Sequence, residues 1–156
     1  MHIASLATLA PGRCPHVAPG ESTGSLEVKT CNERRQAMDT VLAQLSNDTL
    51  DAIRSLDLTK IKPQQLRDLA SKLFQDRQIT RDVASMLFSL GSDEPAETEF
   101  DALGTLYAAQ EFERKLPSDR FQAENLRLYR ESMEVTEGLR SIIAFLGSGR
   151  SVDVTV

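Results

Sequence analysis

The sequence predicts a small all-α bundle of five or six helices, with a helical hairpin near its centre and a long C-terminal helix. Three observations carry that expectation. Apolar residues recur at i, i+3, i+4 and i+7 through most of residues 28–147. Residues that start and stop helices bracket those stretches. No window alternates β-branched with polar residues over the length of a strand except Val152-Asp153-Val154-Thr155-Val156, which can add at most an edge strand.

Residues 1–27 carry Pro11-Gly12, Pro19-Gly20 and scattered Ser and Thr without any period, the pattern of a flexible leader ahead of a single helical domain over 28–147. Thr30-Cys31-Asn32-Glu33 matches a capping box, in which Thr bonds a backbone amide three residues on and Glu reaches back. The first helix follows, with Met38, Val41, Leu42 and Leu45 on one face. Ser46-Asn47-Asp48 ends it and caps a shorter helix carrying Leu50, Ile53 and Leu56. Pro63 suits the first position of a third helix, whose stripe is Leu66, Leu69, Ala70, Leu73 and Phe74. Thr80 caps a fourth, with Val83, Met86, Leu87 and Leu90 on its stripe and Gly91 as its stop; the third and fourth pair as the hairpin.

After the breakers from Gly91 to Pro95, a fifth helix holds Phe100, Leu103, Leu106, Tyr107 and Phe112, bounded by Pro117. Glu94, Glu97, Glu99 and Asp101 crowd its first turns, where the helix dipole favours negative charge. The last helix runs from about Asp119 to Leu146. One face holds Phe121, Leu128, Val135, Leu139, Ile142, Ile143 and Leu146, and a second strip beside it holds Leu126, Tyr129 and Met133. Together they span about half the helix circumference, wider than the roughly 100° of a surface helix, so this helix needs two neighbours, or one neighbour and a partner. Gly147 ends it, and residues 148–156 read as a tail.

Composition narrows the function. A net charge of −5, with no Trp and two Tyr, argues against a general nucleic-acid or anionic-membrane binder, because counterion release needs clustered Lys and Arg. The charge is uneven. Residues 1–78 hold ten Lys or Arg against nine acids, and residues 79–156 hold eight against fourteen. No run approaches the length of a membrane span, and two cysteines, Cys14 and Cys31, are too few for a disulfide framework, so cytoplasm is the expected compartment.

Both histidines, His2 and His16, fall in the leader. A Ser-His-Asp or Cys-His system, an HExxH zinc site and the Glu-x-x-His pairs of di-iron bundles therefore have no imidazole in the expected domain, and no catalytic residue, metal site or cofactor is expected. Cys14-Pro15-His16 is similar to short haem-regulatory motifs but is only a tripeptide. Cys31, at the expected first position of a helix with Arg34 and Arg35 following, is a candidate redox-responsive thiol, since dipole and cations lower a thiol pKa. Gly147-Ser148-Gly149 lies at the wrong end of a helix to cradle a phosphate. The segment Leu73 to Asp82 looks loosely like an EF-hand hairpin without its alternating ligands, its Gly or its terminal Glu. The same segment fits a DNA-binding helix-turn-helix poorly, because the turn is long and the reading helix offers only Arg81 as a cation.

What remains is a non-enzymatic protein–protein interaction module or adaptor, with a protein partner or self-association through the last helix. Leu126, Tyr129 and Met133 are its expected partner-binding face. The alternative for that strip is burial against the fifth helix. Two other roles compete: an acidic helical chaperone or accessory factor of a bacterial export system, by likeness of composition, and a helix-turn-helix transcription-associated protein.

Overall fold

The computed structural model describes residues 36–147 of the chain. The leader, Thr30, Cys14, Cys31, the two histidines and the tail lie outside the described residues. Six helices make up the described part: α1 over residues 36–44, α2 Asn47–Arg54, α3 Pro63–Gln75, α4 Arg81–Ser89, α5 Ala102–Glu113 and α6 Arg120–Gly147. The all-α class and the long C-terminal helix are as expected.

Local chemistry places the helix starts. Ser46 Oγ accepts from Thr49 N at 3.3 Å, and Thr80 Oγ1 accepts from Val83 N at the same distance, so each hydroxyl satisfies an amide that its helix leaves orphaned. Pro63 opens α3, and the Gln65 side chain accepts from Lys62 N at 3.0 Å. α3 closes in a Schellman arrangement: Gln78 N bonds Leu73 O at 2.9 Å and Arg77 N bonds Phe74 O at 3.0 Å, with Arg77 at φ 58° where glycine is usual. α4 closes at Gly91, φ 72°, over which the Phe100 ring sits so closely that an added Cβ would meet its Cε1 at 2.8 Å.

α6 is the spine, packing against α5, α4 and α2, while α3 pairs with α4. Its inner face supplies Met133, Val135, Leu139 and Ile142 to one core, which Val41, Ile53, Ile61, Leu66, Leu69, Leu73, Leu87 and Leu106 complete. Burying each such side chain contributes about 1.5–3 kcal/mol, so these positions, and not the caps, hold the bundle together. A second tie is polar. Asp76, just past α3, accepts from Ser46 N at 2.9 Å, Ser46 Oγ at 3.0 Å and Thr49 Oγ1 at 2.7 Å, joining the end of α3 to the start of α2.

Three details differ from the sequence expectation. Phe100 is not in α5. It exchanges two backbone hydrogen bonds of 3.0 Å with Ile61 in an isolated antiparallel bridge, and α5 starts two residues later because Asp101 caps it, accepting from Leu103 N and Gly104 N. Phe74, on the expected α3 stripe, is exposed, and in that last turn it is Leu73 that enters the core. Phe121, on the same face of α6 as Leu139 and Ile142, is 78% exposed. A helix of 28 residues is about 42 Å long, and in its first turn the side toward α5 is covered, where Gln122 is buried, while Phe121 stands on the side that no helix covers.

Candidate docking corner between α5 and α6

The turn joining α5 to α6 is built around Gln122, which is buried. Its Nε2 donates to Glu113 O at 2.9 Å, which also accepts from Leu116 N, and to Leu116 O at 2.8 Å in the turn that follows α5. Asp119 Oδ1 accepts from Gln122 N at 2.7 Å and starts α6. Asn125 Nδ2 donates to Glu113 Oε1 at 3.0 Å and ties the two helices together one turn further in. The turn is thus fixed by side chains pointing inward. Among its exposed residues are three large apolar ones: Phe112 is 65% exposed, Leu116 40% and Phe121 78%. A lone exposed apolar residue is ordinary, but here three large ones fall within ten positions along the chain around a pinned turn.

Behind this corner one cation of α6 is paired twice. Arg127 bonds both Glu124 and Glu131; the two hydrogen bonds hold its guanidinium further above its ordinary pKa, and the bond from Arg127 holds the Glu124 carboxyl below its own. Pairs this exposed are screened by solvent and contribute little to stability. Lower down, Tyr107 Oη donates to Glu137 Oε1 at 2.9 Å, and that hydrogen bond raises the phenol pKa.

The expected partner strip divides. Met133 is 8% exposed and belongs to the core. Tyr129 is half-buried against that core; burial and the nearby Glu113 charge both raise its phenol pKa. Leu126 is half-buried, lying outside the core cluster one turn from Gln122. The strip therefore follows the seam with α5, as Glu113's proximity to Tyr129 shows, and its outer end reaches the corner. Phe112 and Leu116 were not singled out from the sequence as partner residues. The available signal was their position, large apolar residues on either side of a helix end and just before Pro117-Ser118-Asp119.

Several concavities line the bundle, among them three between its helices. One of about 200 Å³ lies between α5 and α6 beside Tyr107 and Arg140, with Leu58 and Leu103 on its wall. Another, of about 380 Å³, lies where α1 and α2 meet Leu146. The third, of about 410 Å³, is an open groove between α4 and the first half of α6, floored by Met86 and Leu128. Among the described residues there is no His or Cys, and no group of three or more His, Cys, Asp or Glu is arranged to hold a metal ion. None of the described helices is long and apolar enough to cross a membrane. No protein family, no curated protein and no solved structure matches the chain.

Proposed function

We propose that this chain is a non-enzymatic protein–protein interaction module, an adaptor that presents the α5–α6 corner to a protein partner. The observation that carries the reading is the exposure of Phe112 and Phe121 on a turn whose backbone is pinned from inside by Gln122, Asp119 and Asn125. Aromatic side chains on a preorganised backbone give large contact area at small ordering cost, which is the usual make-up of an interface anchor. Leu126 and the edge of Tyr129 extend the surface inward along the seam, and Leu128 extends it toward α4.

The test compares wild type with Phe112→Ser/Phe121→Ser. Affinity purification from cells, with cross-linking and mass spectrometry, should recover partners with wild type that are lost with the variant, while circular dichroism and melting temperature stay within a few degrees. An identical partner set for both proteins would remove the corner from consideration. Solution mass at increasing concentration separates a foreign partner from self-association through α6. Retention on a DNA column at moderate salt would favour the transcription-associated alternative instead.

A further inference from the structure

The outer face of α5 is self-complementary. The helix turns Ala102, Leu106, Gln110 and Glu113 inward, and Tyr107 reaches α6 through its bond to Glu137. At about 100° per residue, Gly104, Ala108, Phe112 and Lys115 fall within about 40° of one line on the opposite side. All four are exposed. Asp101, the exposed N-cap, begins the same line one turn before Gly104. The stripe therefore runs acid, two small residues, Phe, cation. Ala108 is its midpoint, with Asp101 and Lys115 seven residues to either side and Gly104 and Phe112 four. Among the described residues neither Asp101 nor Lys115 makes an ion pair, and Arg140 shares a cavity wall with Asp101 without pairing to it. Glu111, at the edge of the face, is paired with Arg114 of its own chain.

From this we infer that two copies of the chain pair through α5, antiparallel, about a two-fold axis at Ala108. In that arrangement Phe112 enters the hole formed by Asp101, Gly104, Thr105 and Ala108 of the second copy, where the absent side chain of Gly104 and the short one of Ala108 leave room for the ring. Lys115 then meets Asp101 of the second copy, and the symmetry makes that pair twice. Parallel pairing would set Asp101 against Asp101 and Lys115 against Lys115. The two charges cancel within one copy, so their order along the stripe, and not their sum, selects a second copy. A partner of one sign would satisfy only one end. α5 has 12 residues and is about 18 Å long, which makes the contact smaller than a standard interface and the dimer a weak one, with a dissociation constant in the micromolar range. The inference goes beyond the docking corner, with which it shares Phe112, so a second copy and a foreign partner that grips Phe112 compete.

Sedimentation equilibrium of the full chain from about 5 to about 500 μM tests the pairing, and wild type should pass from monomer to dimer across that range. Ala108→Arg puts two cations at the axis, and Lys115→Glu sets an acid against Asp101 twice. Each should raise the dissociation constant at least about tenfold, and added salt should weaken the wild-type dimer. Both variants change exposed side chains, and a melting curve for each confirms folding. In a Cys14→Ser/Cys31→Ser background, Ala108→Cys should give a covalent dimer under mild oxidation because the two residues meet at the axis, whereas Gln64→Cys, exposed on α3, should stay monomeric. Monomer mass throughout, or a dimer that neither variant weakens, would overturn the inference. Either result leaves the docking corner standing, since that reading is judged by the partners lost with Phe112→Ser/Phe121→Ser. A monomeric chain whose recovered partner is lost with Ala108→Arg would give the α5 face to a foreign protein and overturn the self-pairing.

Discussion

Replacing Asp76 should loosen the junction between α2 and α3 by an amount that the hydrogen-bond geometry sets. Thr49 is fully buried, and its hydroxyl donates to the Asp76 carboxylate at 2.7 Å. A hydrogen bond to a charged acceptor contributes about 1.5–3 kcal/mol, and the partial exposure of Asp76 places this one toward the low end. The Ser46 amide and hydroxyl lie nearer solvent and add less. Asp76→Ala should therefore cost about 2–3 kcal/mol, a fall in melting temperature of roughly 10 °C for a domain of this size, and Asp76→Asn about half that.

The effect also carries a pH signature. Partial burial works against the charged form of Asp76, but the hydrogen bonds from Thr49 and Ser46 outweigh it and hold the carboxyl below its ordinary value of 3.8. A carboxyl depressed in the folded state stabilises the fold fully above its unfolded pKa, and loses that contribution as pH falls through the lower, folded value. Urea unfolding followed by circular dichroism should thus show the full difference between wild type and Asp76→Ala at pH 5–7 and a shrinking one below about pH 3.8. A difference under about 0.5 kcal/mol at pH 7, or one that stays the same down to pH 3, would refute the reasoning.

Other substitutions probe separate features. Gly91→Ala places a methyl 2.8 Å from the Phe100 ring at a positive φ and should destabilise by about 2 kcal/mol in the same urea assay. Arg77→Gly removes about 1–2 kcal/mol of left-handed strain and returns about 0.5–1 kcal/mol of backbone entropy, so a net gain of about 0.5 kcal/mol should appear as a higher denaturation midpoint. Leu139→Ala and Phe121→Ala share one helical face, yet the first should cost about 2–5 kcal/mol and the second under about 0.5 kcal/mol, since Leu139 is 1% exposed and Phe121 78%. Comparable losses from both would mean that the first turns of α6 are covered in solution.

Much of the helical plan was legible because its determinants are local. Ser46, Pro63, Thr80 and Gly91 act through bonds or torsions within a few residues, and each stands at the helix end that its chemistry implies. The end of α3 was less legible, because the left-handed position is filled by Arg77 and not by glycine. Phe100 could not be placed by periodicity, since its partner Ile61 is distant in the chain. The corner was hidden for a different reason. Phe121, Leu128 and Leu139 are equivalent in helical projection, and no projection reports how far along the axis the neighbouring helices reach. The strip of Leu126, Tyr129 and Met133 was visible as apolar, whereas the share of it taken by α5 depended on packing.

The bridge between Ile61 and Phe100 has a topological consequence. It joins residues 39 positions apart, so α3 and α4 form a closed excursion that leaves the chain's path and returns to the same point. One residue beyond Asp101, Ala102 N bonds Leu58 O at 3.0 Å, so α5 takes its register from the segment that precedes α3 and not from the end of α4. The acidic connection of residues 92–99 therefore lies between two fixed points, tied to the start of α3 by the exposed Lys62–Glu97 pair. Residues inserted there would lengthen a surface loop and leave α5, α6 and their shared corner where they are, which makes that connection the natural place to graft a tag or a fluorophore.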